Sequence, residues 1–225
     1  MLRKHTNSAY EAELDQLRDK ILLMGGYVEE AIAQAMEALR DRDADKARKV
    51  ISRDKLINTL ELEIDELCVE LLALRQPAGS DLRLIITGLK ISTDLERMGD
   101  LVVNLCERVI ELSREPLLKP LIDLPHMANI AMGMVREALD AYVKNDAEAA
   151  RAVCKRDDEV DSLDSQIVRE LLTYMMEKPG TITRGLGLIM VTRYLERIAD
   201  HATNISEMVI FLVKGKDVRH RGLGD

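Results

Sequence analysis

One apolar pattern occurs twice in this chain at a fixed offset, and that repeat limits the fold more than any other feature. Leu14, Leu17, Ile21, Met24, Val28, Ala31, Ala35 and Ala38 recur in alternating steps of three and four, which places them on one face of a helix. A second helical run carries Ile57, Leu60, Ile64, Leu67, Leu71 and Leu74, and a third carries Leu95, Met98, Val102, Leu105, Val109 and Leu112. The pattern then restarts. Leu124, Met127, Ala131, Met134, Ala138 and Ala141 stand 103 positions beyond Ile21 to Ala38, and Val160, Leu163 and Ile167 stand 103 beyond Ile57, Leu60 and Ile64. Leu195, Ile198, Ala202, Ile205, Val209 and Leu212 stand 100 beyond the third run. The change from 103 to 100 predicts a shorter last loop in the second copy, at Glu177-Lys178-Pro179-Gly180-Thr181. No stretch alternates with period two for long enough to be a strand.

Such a repeat specifies two copies of one three-helix unit. Short polar connections, such as Asp41-Arg42-Asp43, make neighbouring helices antiparallel. The expected fold is therefore all-α, two tandem three-helix bundles packed together. The prolines at 116, 120 and 125 mark the boundary, giving a first repeat at 1–117 and a second at 118–225. The Gly-rich stretch from Gly215 to Asp225 is expected to be poorly ordered.

Composition narrows the function. One Phe, five Tyr and no Trp leave little of the aromatic surface on which enzyme pockets lean. A formal net charge of −8 disfavours nucleic acid as a partner. No run approaches the ~20 apolar residues of a membrane span, and the N-terminus has no signal-like apolar stretch, so a cytoplasmic location is expected. Cys68, Cys106 and Cys154 form no Cys-x-x-Cys pair and read as reduced, buried thiols. Methionines such as Met24, Met127, Met132, Met134, Met175 and Met176 read as core filling.

The polar identities between copies carry the chemistry. Thr93–Leu112 and Arg193–Leu212 share 9 of 20 positions, among them Glu96/Glu196, Arg97/Arg197, Asp100/Asp200, Asn104/Asn204 and Glu107/Glu207. Glu-x-x-x-Asp puts two carboxylates one turn apart on one side of a helix. The apolar seam places that stripe on the outer face of each bundle, with the Asn a further turn along. On the second run of each copy, Asp54 and Asn58 match Asp157 and Asp161 at the offset of 103. A neighbouring helix could bring these oxygens beside the Glu-x-x-x-Asp pairs.

Two readings are open: a solvated acidic face paired with Arg97 and Arg197, or one oxygen-rich cation cluster per copy. All-oxygen ligands suit Mg²⁺, Ca²⁺, Mn²⁺ or ferric iron. The four histidines, His5, His126, His201 and His220, do not stand three after a Glu, as di-iron bundles require. His201 adjoins Asp200 and reads mainly as a partly exposed polar residue. No phosphate-binding loop and no Ser-His-Asp or Cys-His set is present.

These motifs together resemble the PhoU family. The resemblance rests on Leu95-Glu96-Arg97-Met98-Gly99-Asp100 and Leu195-Glu196-Arg197-Ile198-Ala199-Asp200, and on Met24-Gly25-Gly26. It rests also on Arg75-Gln76-Pro77 with Ser80-Asp81-Leu82-Arg83, Tyr174-Met175-Met176-Glu177, and Val213-Lys214-Gly215 with Arg219-His220. It spans nearly the whole chain and implies a PhoU-like, spectrin-like fold. It implies a cytoplasmic homodimer that associates peripherally with the inner membrane through its partners. The implied role is negative regulation of the phosphate-starvation regulon and of phosphate uptake, coupling the phosphate ABC transporter to a sensor histidine kinase, without enzymatic activity. The family's acidic pairs bind iron, zinc, manganese or magnesium, and the matching positions are Glu96, Asp100, Glu196, Asp200, Asp157, Asp161 and Asp54. Asn58 replaces the closing acid of the first copy, which implies tighter cation binding in the second. The rival readings are a metal-free helical adaptor and a carboxylate–metal enzyme.

Overall fold

A computed structural model describes residues 8–215. His5, Arg219, His220 and the tail beyond Gly215 lie outside the described residues. The described chain is helical almost throughout, with no strand. Its helices are α1 (Ser8–Asp41), α2 (Ala44–Arg53), α3 (Lys55–Arg75), α4 (Ser80–Leu112), α5 (Asp123–Lys144), α6 (Ala147–Glu177) and α7 (Ile182–Lys214).

The segments α2 and α3 are one helix interrupted at Asp54. That residue keeps a helical backbone (φ −54°, ψ −31°), but its N–H bonds to the Ile51 carbonyl at 3.3 Å, a tighter i→i−3 turn. The first copy is thus α1, α2–α3 and α4, and the second is α5, α6 and α7.

Both copies start their second helix with the same device. Asp43 accepts hydrogen bonds from the Asp45 and Lys46 amides at 3.0 and 2.9 Å, and Asp146 accepts from Glu148 and Ala149 at 3.0 Å each. These side chains satisfy amides that a helix start leaves open. Arg42 and Asn145 before them take the left-handed conformation (φ 56° and 52°), which Asn adopts more readily than Arg.

The seam residues form one continuous apolar core across both copies. Leu74, expected in that seam, is exposed: the buried line of α3 runs through Ile57, Leu60, Ile64, Cys68 and Leu71, and Leu74 stands to one side of it. Met176, expected as core filling, is 83% exposed, whereas Met24, Met127 and Met134 are fully buried. Cys68 and Cys106 are buried free thiols and Cys154 is half-buried. The last loops are of equal length, Gln76–Gly79 and Lys178–Thr181, four residues each. The expected shortening is absorbed instead at the helix ends, since α6 stops earlier and α7 starts later than their counterparts.

The copies join through α4 against α7 and α1 against α5. Arg83 Nε donates to the Leu212 carbonyl at 3.2 Å, and His201 Nδ1 stands 2.8 Å from Asp94 Oδ1. Early α4 therefore meets late α7, and the pair is antiparallel. On the other pair, Arg136 of α5 forms an ion pair with Glu29 of α1 at 2.5 Å, and Leu139 of α5 packs at Gly25 of α1. That pair also runs antiparallel, so an approximate twofold axis relates the two copies.

The connection between α4 and α7's own copy crosses residues 113–122. Its Lys119 is 7% exposed and pairs with Glu170 of α6 and Asp123 of α5. The boundary region is thereby tied down rather than free.

Two candidate acidic grooves

In each copy the duplicated acids come from the second and third helices, which pack side by side. Asp54 sits at the α2–α3 junction, facing α4 with its Glu96 and Asp100. Asp157 and Asp161 lie on α6, facing α7 with its Glu196 and Asp200. Asp100, Asp161 and Asp200 are exposed, and Asp54, Asp157, Glu96 and Glu196 are half-buried. Each set forms a groove that opens outward and has a partly desolvated inner edge.

Small residues on the third helix permit the approach. A Cβ at Gly99 would lie 3.0 Å from Asp54 Oδ1, so a larger residue there would press on that carboxylate. Asn58 Nδ2 donates to Asp54 Oδ2 at 2.9 Å. The Asn that replaces an acid in the first copy therefore supports its neighbour directly.

The grooves hold their charge at a cost. Burial raises the Glu96 carboxyl above its usual range, with Asp100 and Glu61 adding to the effect. Burial also raises Asp54, against the lowering hydrogen bond from Asn58. In the second copy burial, then Asp200, Asp161 and Glu196, raise Asp157 from 3.8 to about 6. Glu196 and Asp200 are raised as well, first by burial and then by neighbouring carboxylates. Clustered, half-desolvated carboxylates gain from any cation placed among them.

A pH dependence follows for the metal-free protein. Because the folded state holds the Asp157 proton more tightly than the unfolded chain, this carboxyl contributes stability below about pH 4 that is lost as pH rises through about 6. Asp157→Asn is therefore expected to match wild type near pH 4. At pH 7 it should exceed wild type by about 1–2 kcal/mol, the full shift being reduced by solvent screening. Urea unfolding at the two pH values measures this, and a constant difference between the proteins would refute it.

Sequence reasoning missed two acids of these grooves. Glu61 contributes to the field at Glu96, and Asp164 to that at Glu196. They too are related by the offset of 103, so the repeat itself held the signal. Asp164 is buried and accepts from Arg193 Nη1 at 2.8 Å through Oδ2.

Other expectations are placed elsewhere. Asn204 lines a cleft between α4 and α7 with Lys90, Thr93, Asp94 and Met208, not the acidic groove. His201 is half-buried against Asp94 of the other copy. Among the described residues neither Arg97 nor Arg197 closes an ion pair onto the stripe, and both are exposed. His126 is exposed.

The donor set suits a hard cation: every group is oxygen, the acids repel one another, and one buried acid oxygen, Asp164 Oδ1, has no partner. Among the described residues no three of these side chains already converge on one ion position. Among them, also, no helix is long and apolar enough to cross a membrane.

Fold and grooves together define a class: a tandem helical-repeat protein with one acidic groove in each repeat. Known proteins place it further. The PhoU domain model matches residues 21–109 and 124–209, once per copy. The phosphate-specific transport system accessory protein PhoU homolog of Pseudomonas putida is 45% identical over 223 residues, covering 99% of this chain and 87% of that protein. The PhoU accessory protein of Escherichia coli K12 is 38% identical over 221 residues, covering 98% and 92%. Among solved structures, PhoU from Pseudomonas aeruginosa matches with TM-score 0.88 at 45% identity, covering 92% of this chain and 100% of that one. The phosphate transport system regulatory protein PhoU from Streptococcus pneumoniae matches with TM-score 0.86 at 28% identity, covering 93% and 99%. The chain belongs to the PhoU family.

Proposed function

We propose that this protein is an accessory regulator of phosphate-specific transport. It restrains phosphate uptake and the phosphate-starvation response when phosphate is plentiful, as a scaffold between the transporter and a membrane sensor histidine kinase. The observation that carries this reading is similarity over nearly the full length to proteins named as accessory or regulatory components of phosphate transport. Their names denote no catalytic activity, in keeping with a non-enzymatic role.

The grooves supply the chemical part of the scaffold. Asp54, Glu96 and Asp100 would hold a cation in the first copy, and Asp157, Asp161, Glu196 and Asp200 in the second. Iron, zinc, manganese or magnesium would neutralise the carboxylates and so change which charged surface can dock there. The chain's own part is to hold these acids on rigid helices at a fixed separation.

Removing the protein from phosphate-replete cells is expected to switch on a phosphate-starvation reporter, and restoring it to silence the reporter. An affinity-tagged copy is expected to retain transporter components or the kinase on purification. A reporter indifferent to the protein, with neither partner retained, would overturn the role.

A further inference from the structure

Besides Asn58 against Asp161, the two copies differ in charge at a position of the third helix. In the second copy Arg193 stands one turn before Glu196 and holds Asp164. The corresponding residue of the first copy, 100 positions earlier, is Thr93, whose hydroxyl donates back to the Leu89 carbonyl at 3.2 Å and brings no charge. Asp164 is an unusual partner. Its side chain is 5% exposed, against 51% for Arg193. Only Oδ2 meets the guanidinium, and Oδ1 is buried without a hydrogen-bond partner. A buried carboxylate oxygen left open beside Asp161 and Glu196 is a ligand atom in want of a cation.

We infer that Arg193 is a resident counter-ion of the second groove, which an incoming metal ion must displace from Asp164, and that Asp164 is then the innermost ligand of that ion. The inference rests on the cation reading of the grooves and adds to it a control that the first groove lacks. The pair is asymmetric in the way such a device needs. The acid is fixed and desolvated, whereas the arginine is long, half in water and free to turn outward. Arg193 thus opposes the tighter binding that Asp161, in place of Asn58, gives the second copy. It offsets part of the second groove's charge when free cation is scarce.

The test uses the full chain with Glu96→Ala and Asp100→Ala, so that the second groove alone is read, and Mn²⁺ as the probe. Arg193→Thr, which installs the residue of the first copy, is expected to tighten Mn²⁺ binding about tenfold in calorimetry. Asp164→Asn is expected to weaken it by about the same factor. Opposite signs from the two partners of one ion pair are the mark of the device, because a purely structural pair would shift both variants the same way. Arg193→Thr should also lose thermal stability without metal and regain it with Mn²⁺. If Arg193→Thr does not fold, Arg193→Gln, which keeps a hydrogen bond to Asp164, carries the same expected sign. If the parent binds Mn²⁺ but the arginine variant binds it no more tightly, the inference fails and the cation reading stands. If neither binds Mn²⁺, the cation reading fails and takes the inference with it.

Discussion

Glu196→Ala combined with Asp200→Ala is expected to weaken cation binding in the second groove at least about 100-fold, since two direct ligands are lost where even an outer-shell change costs ten- to a hundredfold. The reason lies in where these residues stand. Both project from α7 into the groove, away from the seam of Leu195, Ile198 and Ala202 that fills the core. Shortening them removes ligands and repulsion together and leaves the packing intact. The variant should keep wild-type helical content and, without metal at neutral pH, a thermal stability no lower than wild type, since repulsion in the groove is relieved. Glu96→Ala with Asp100→Ala should remove the first groove's binding in the same way, and the fourfold variant should bind no Mn²⁺ in calorimetry. A fourfold variant that binds as wild type does would end the metal reading of these grooves.

Leu17→Ala is expected to give the largest loss of stability, about 3 kcal/mol, which for a chain of this size lowers the melting temperature by about 6–12 °C. Leu17 is fully buried on α1. With Ile21 it fills a notch on α4 at Gly88, where a Cβ would lie 3.2 Å from both side chains. Gly88→Ala alone is expected to destabilise by overpacking, by about 1 kcal/mol. In the Leu17→Ala background the added methyl enters the vacated space, so the two changes should compensate in part. Thermal unfolding followed by circular dichroism measures all three variants. Strictly additive losses would show that α1 and α4 do not meet there.

The fold was legible because the repeat fixed its period, its helix count and its breaks. Ile21, Met24, Leu95 and Ile198 all reach the core as their spacing requires. Spacing alone does not choose between adjacent apolar residues at the edge of a stripe: Cys68, Leu71 and Met175 are buried, whereas Leu74 and Met176 are exposed. It also cannot show which of two apolar sides meets the other copy. Residues such as Ile85 and Leu101 lie off the α4 seam yet are buried. The groove acids were legible as far as identity carried them. Asp164 was missed because its partner in the first copy is a Glu, and an exact match hides an acid-for-acid exchange. Arg193 was missed for the opposite reason: its counterpart Thr93 shares none of its chemistry, so a comparison built on sameness passes over it. Asn204 shows the converse limit, since a residue kept in both copies lies outside the groove.

The reversed crossing of α4 on α7 and of α1 on α5 has a further consequence. Each copy presents to the other the same surface that it receives, as two identical subunits do in an isologous dimer. The peptide link through Lys119 therefore sets the local concentration of the halves without creating the fit between them. A chain severed within residues 113–122 would leave two fragments whose faces still match, held together by that fit and by the Arg83–Leu212, His201–Asp94 and Arg136–Glu29 contacts across it.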